Sequence, residues 1–148
     1  MQYRHVEADG IAAVVVNRRR LLLMKRRYLP FLKNAGAWSF VFGHRENGER
    51  YLETAYREIR EEAGIGRERL ELLGDGFPVG LFDPKRGIRW SNMMFIFRSD
   101  TGEVRKDFEN AAYRWAGMSE LANHERYTNL FIDEERILKR ISRYVNGK

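Results

Sequence analysis

The sequence predicts an α/β fold in which a mixed β-sheet is covered by helices. Three observations lead there. Strand-like runs of β-branched, aliphatic and aromatic residues lie on both sides of one amphipathic helical segment, and a second long helical pattern closes the chain. The 148 residues, 43% of them hydrophobic, suffice for one core, and no shift in composition divides them. Residues 1–148 are therefore read as a single domain.

The elements follow in order. Residues 11–16 (IAAVVV) and 21–25 (LLLMK) are apolar runs separated by NRRR, the pattern of two antiparallel strands joined by a polar turn. Residues 38–42 form a third short strand, and Asn47-Gly48 signals a turn. Tyr51, Leu52, Ala55, Ile59 and Ala63 recur at helical spacing, which gives a helix of about three turns, apolar on one side and acidic on the other. Gly64 followed by Ile65 fits a left-handed cap closed by an apolar contact. Strands resume at 70–73, 77–82, 88–98 and 112–116. The last helix, 133–145, has Asp133 as its expected N-cap, Glu134 and Glu135 in its first turn, and Lys139, Arg140 and Arg143 towards its end, where the helix dipole favours cations.

Composition excludes several function classes. The longest apolar run is far short of a membrane span and the charged start MQYRHVEADG does not resemble a signal peptide, so a soluble cytoplasmic protein with no membrane partner is expected. The absence of cysteine excludes disulfides, thiolate metal sites and cysteine nucleophiles, leaving oxygen or histidine for any metal. A net charge of +6, with basic clusters at 18–20, 25–27 and 85–89, favours anionic partners. No nucleic-acid module is spelled out, so a phosphorylated small molecule stands at least level with RNA or DNA. Nothing in the chain sets its oligomeric state, and a homodimer stays open.

Glu58, Glu61 and Glu62 pose the central question, because helical geometry places all three within about a third of the circumference. Like charges so spaced repel, by roughly a few tenths of a kcal/mol per exposed pair. A solvated acidic face would be the plain reading if the helix stood alone. Its flanks say otherwise. Gly43, five residues, Glu49, seven residues, Arg57-Glu58-Ile59, one residue, Glu61-Glu62, one residue, Gly64-Ile65: seven identities and two aliphatic positions match without a gap. The pattern resembles the signature of the Nudix hydrolases.

That resemblance implies a Nudix-type α/β/α sandwich with a mixed sheet, and hydrolysis of a nucleoside diphosphate linked to a further group with Mg2+ or Mn2+. Glu61 and Glu62 would be principal metal ligands, and Glu58 a further ligand or the base that deprotonates water. Gly43 admits close approach and its loop can add a backbone carbonyl. Arg57 and Glu49 would hold loop and carboxylates in place through an ion pair. The chemistry suits the residues, since these cations take hard oxygen ligands from one or two carboxylates, waters and substrate phosphates. Bound metal also cancels the repulsion and neutralises charge on the diphosphate oxygens as water attacks phosphorus.

The resemblance extends to LLLMKRR, AWSFVFG and ENAAYRWAGMSEL, while the Pro-Gly-Gly usual before the signature is here Val41-Phe42-Gly43. Gly43-His44, Glu53-Thr54-Ala55 and Ala112-Tyr113-Arg114-Trp115 resemble the asymmetrical diadenosine tetraphosphate hydrolases. In those a glutamate six residues before the tryptophan helps bind metal or activate water, and Glu109 holds that position. The approach from Trp38 to Gly43 is closer to dihydroneopterin triphosphate and deoxynucleoside triphosphate pyrophosphohydrolases. Either way the substrate is a nucleotide-type polyphosphate. Tyr113, Phe82, Trp90 and Phe131 are candidates to stack on its base, and Lys85, Arg86 and Arg89 form the candidate phosphate clamp.

Three rival readings share part of the pattern. Isopentenyl diphosphate isomerases share this fold but use a cysteine just before the glycine. A catalytically silent binding module would be expected to lose signature glutamates, and all are present. The basic charge keeps an RNA 5′ end among the substrates.

Overall fold

The computed structural model describes residues 4–5, 9–26, 38–83, 87–107, 110–122 and 131–146. Its elements are β1 (Arg4–His5), β2 (Gly10–Asn17), β3 (Arg20–Arg26), β4 (Trp38–Ser39), β5 (Val41–His44), α1 (Tyr51–Ala63), β6 (Leu70–Leu72), β7 (Phe77–Asp83), β8 (Ile88–Ser99), β9 (Asn110–Ala116) and α2 (Glu134–Asn146). Short 3-10 turns occupy Arg67–Arg69 and Met118–Ala122.

Alternation along the central strand β2 creates two cores. Ala12, Val14 and Val16 pack with Ile137, Ile141 and Val145 of α2, whereas Ile11, Ala13 and Val15 pack with Ala55, Ile59 and Ala63 of α1. Period-2 side chains on a strand covered on both faces explain why 11–16 reads as an unbroken apolar run. The helices therefore lie on opposite faces, an α/β/α arrangement. The sheet is mixed, because β8 runs parallel to β1 and β2 and antiparallel to β6 and β7.

The β2–β3 hairpin closes through Arg18 and Arg19, both at positive φ (50° and 64°), as a two-residue turn between the partners Asn17 and Arg20 requires. Beyond it the two strands separate. Here the expected strand 38–42 is corrected: it breaks at Phe40, since β4 pairs with β3 and β5 pairs with β2. A segment wedged between diverging strands must change partner, and the change costs one unpaired residue. Strand β9 begins two residues earlier than expected, across a bulge. Asp133 is not an ordinary N-cap, for its backbone is left-handed (φ 58°), although its carbonyl accepts the Ile137 N–H at 3.1 Å. Among the described residues no helix is long and apolar enough to cross a membrane.

Candidate active site

The site forms where β5 ends and α1 begins, at the end of the sheet where Gly10 pairs with His44 and Ile11 with Gly43. The connecting turn is closed by the Glu49 N–H to the Glu46 carbonyl (3.0 Å) with Gly48 at φ 82°, the position that favours glycine. Asp9 ties this loop to β2. Its carboxylate accepts from the Tyr51 hydroxyl (2.8 Å) and, with a smaller effect, from Arg45 Nε (3.0 Å), which holds its carboxyl below the usual range, and its carbonyl accepts the Arg45 N–H (2.7 Å).

Arg57 organises the acidic face. Nε and Nη2 grip the two Glu49 oxygens at 2.7 and 3.0 Å, Nη2 also reaches the His44 carbonyl at 2.9 Å, and Nη1 donates to Glu58 (2.8 Å) and Glu61 (3.2 Å). This planar fork spans three carboxylates and the end of β5, as lysine could not. Glu49 further accepts from the Glu46 N–H and the Thr54 hydroxyl, both at 2.9 Å. Arg57 first, and these bonds with it, draw the Glu49 carboxyl down to about 2. The expected ion pair thus exists, and it fastens loop to helix.

Glu58 lies against Gly43, and a Cβ on that glycine would overlap its side chain. A Cβ here would force the Glu58 side chain to shift, so the constraint on Gly43 is one of contact and not of φ. Burial pushes the Glu58 carboxyl above its ordinary value, against the opposing effects of a Glu62 hydrogen bond and of Arg57. Glu62 is only 6% exposed, whereas the Glu61 side chain is 51% exposed. Both sit in the last turn of α1, where the helix dipole disfavours anions. Gly64 then ends the helix in the left-handed conformation, with its N–H on the Arg60 carbonyl and Ile65 buried beside α1.

Residues 42–46, Glu58, Glu61, Glu62 and Asp107 line one cleft. Asp107 was not foreseen, nor was the buried Asn110, whose amide donates to Asp107 (2.9 Å) and Glu62 (3.4 Å). No local pattern links positions 107 and 110 to a helix that ends at 63. Among the described residues, the other expected binding residues do not line this cleft. Arg89 is exposed on β8, three residues from Asn92, whose neighbour across the sheet is Gly10; that is about 10 Å along the strand. Tyr113 on β9 is 41% exposed, Phe131 is buried at 9%, and Trp90 packs at the edge of the α2-side core. Lys85, Arg86 and Glu109 lie outside the described residues.

A model of the NUDIX domain family matches residues 6–139. The chain belongs to the Nudix hydrolases. It is 30% identical over 128 residues to the asymmetrical bis(5′-nucleosyl)-tetraphosphatase of Sus scrofa, covering 74% of this chain and 84% of that protein. An RNA pyrophosphohydrolase of Edwardsiella ictaluri is 32% identical over 90 residues, 57% of this chain and 48% of that protein. In structure, the C. elegans Ap4A hydrolase binary complex superposes with a TM-score of 0.73 at 21% identity over 97% of this chain and 99% of that one, which confirms the fold. This Nudix hydrolase is thus an enzyme of the pyrophosphohydrolase class.

Nudix hydrolases are generally dependent on divalent metal, and the residues present fit such an ion. The donors are hard carboxylate oxygens, a desolvated Glu58 stands beside a buried Glu62, and the space a Cβ would fill at Gly43 is taken by a ligand-type side chain. Among the described residues no three His, Asp or Glu side chains close into a metal cage. Mg2+ does not need one, since it keeps several waters and takes one or two carboxylates plus substrate phosphates.

Proposed function

We propose that this Nudix hydrolase cleaves a phosphoanhydride bond in a nucleotide-type polyphosphate, a dinucleoside tetraphosphate foremost, by attack of water on phosphorus. The observation that carries the reading is the Glu58–Glu62 pair, a desolvated carboxylate beside a buried one at the negative end of α1. Charge so placed costs stability unless a cation answers it. Support for the tetraphosphate comes from the pig relative and from the Glu109 and Tyr113 positions.

Glu58, Glu61 and Glu62, with the Gly43 carbonyl, would hold Mg2+ or Mn2+, which when bound neutralises phosphate charge and activates water. The chain's own residues supply the rest. Arg57 orients Glu58 and Glu61 from one side, and through Glu49 and the His44 carbonyl it fixes the loop carrying Gly43. Two carboxylates are candidates for the base: Glu58, whose carboxyl burial raises, and Glu109, by its place six residues before Trp115. Arg86 and Arg89, with Lys85, would grip phosphates beyond the metal.

Asymmetrical cleavage divides four phosphates three to one. Incubation of the purified chain with a dinucleoside tetraphosphate and Mg2+ should therefore yield equal amounts of nucleoside triphosphate and monophosphate, with no products when EDTA replaces Mg2+. Turnover unaffected by EDTA, or no cleavage of the tetraphosphate, would refute the proposal, and two diphosphates as products would refute asymmetrical cleavage. A second reading, pyrophosphate removal from a triphosphorylated RNA 5′ end, is favoured by the Edwardsiella relative and the charge of +6. Faster pyrophosphate release from such RNA than tetraphosphate cleavage, with strong salt dependence, would select it.

A further inference from the structure

Asn110 opens β9 and is only 2% exposed. Alternation along β9 would put it on the α2 side, because Ala116 packs in that core while Trp115 packs against the α1 core. The bulge reverses this. Ala112 pairs with Lys25 and Asn110 with the next residue, Arg26, so Ala111 is the extra residue. A bulge re-aims the side chain beside it, and here that side chain meets α1. One amide nitrogen, with two hydrogens, then donates to Asp107 at 2.9 Å and to Glu62 at 3.4 Å.

The backbone around it reinforces the same contact. The Arg105 N–H donates to the Ala63 carbonyl at 2.8 Å and the Asp107 N–H to the Glu62 carbonyl at 3.3 Å, so residues 105–107 take up carbonyls that the end of α1 leaves over. The Asn110 N–H closes back on the Asp107 carbonyl at 3.4 Å. Main chain and side chain of Glu62 are thus held by the same short segment, 48 residues away in sequence. If the site were only a helix end to be capped, the backbone bonds would suffice. The side-chain bond adds the orientation of a carboxylate.

We infer that Asn110 is a positioning residue, which the β9 bulge turns towards α1 so that its amide fixes the Glu62 carboxylate for a divalent cation. This rests on the proposed metal role of Glu62. Removing the donor takes away one of the contacts that orient that carboxylate, and loss of such an outer partner weakens metal binding by roughly 10–100-fold.

The test is Mn2+ binding to the full chain without substrate, read from the electron paramagnetic resonance of free Mn2+, with urea unfolding of the metal-free variants alongside. Asn110→Leu should raise the Mn2+ Kd roughly tenfold or more. Asn110→Ser, which keeps a donor, should recover part of the loss, and adding Asn110→Leu to Glu62→Gln should weaken binding no further. Asn110→Ala carries the same expectation should the leucine variant not fold. Wild-type Mn2+ affinity in a donor-less variant, or an undiminished further loss on top of Glu62→Gln, would overturn the inference while leaving the metal reading intact. Wild-type affinity in Glu62→Gln alone would instead remove the metal role of Glu62, and this inference with it.

Discussion

The two helices have the same length and nearly the same apolar spine, yet they differ in the charge they carry at the C-terminal end. Each runs for 13 residues, α1 buries Ala55, Ile59 and Ala63, and α2 buries Ile137, Ile141 and Val145, both at a spacing of four. Those stripes suffice to dock a helix on a sheet. In α2 the charges follow the dipole, with Glu134 and Glu135 in the first turn and Arg143 in the last. In α1 two glutamates sit in the last turn, one of them buried, and Thr54 is buried as well. The comparison separates what the fold requires from what the chemistry requires: α2 is arranged for stability, and α1 departs from that arrangement at the glutamates.

The largest expected effect is on turnover. Glu62→Gln should lower kcat by two orders of magnitude or more at saturating Mg2+, about 2.7 kcal/mol of transition-state stabilisation, and unchanged steady-state kinetics would show that α1 is merely another docked helix. On α2 the converse holds. Ile141→Ala, at a fully buried position, should cost about 2–5 kcal/mol in urea unfolding while activity per folded molecule stays near wild type. A large loss of kcat in that variant would mean the two helices are not separable in function.

A smaller effect is expected away from both helices. If Arg86 and Arg89 grip distal phosphates, changing both to Ala should reduce kcat/KM for a dinucleoside tetraphosphate by about 1–3 kcal/mol more than for a nucleoside diphosphate derivative. An equal loss on both substrates would take these arginines out of the site. The mildest effect is a pH slope. The Glu49 carboxyl falls from an ordinary 4.5 to about 2 in the folded chain, so between these values only the unfolded chain holds its proton. Its contribution is therefore fully present above about pH 4.5 and is lost as pH falls through about 2. Glu49→Gln should show a shallower loss of urea midpoint between pH 5 and pH 3, and the same slope as wild type would detach Glu49 from the Arg57 network.

Local features were legible in the sequence because their causes are local. Gly64 ends α1 as its position after the apolar repeat implies, NRRR closes a hairpin, and the spacing from Gly43 to Ile65 marks the acidic helix and its family. What was missed depends on distant neighbours. Nothing in WSFVF tells that β2 and β3 diverge and that the segment must switch partner at Phe40. The reach of Asn110 to Glu62 depends on a bulge opposite Lys25 and Arg26, a register that exists only once three distant segments have met. Strand β1 is two residues long, too short for any periodicity to show. Asp9 is tied to the start of α1 by a contact 42 positions away at Tyr51, again without a local pattern.

The central claim is that α1 tolerates a buried glutamate at its negative end because a cation answers it. Thermal unfolding of wild type and Glu62→Gln, each with and without saturating Mg2+, tests this most directly. Without Mg2+ the variant should be at least as stable as wild type, since it lacks an unfavourable charge. With Mg2+ the wild-type Tm should rise, as a ligand bound to the folded state alone requires, while the variant's should rise far less. A variant less stable than wild type without metal, and raised equally by Mg2+, would contradict the account.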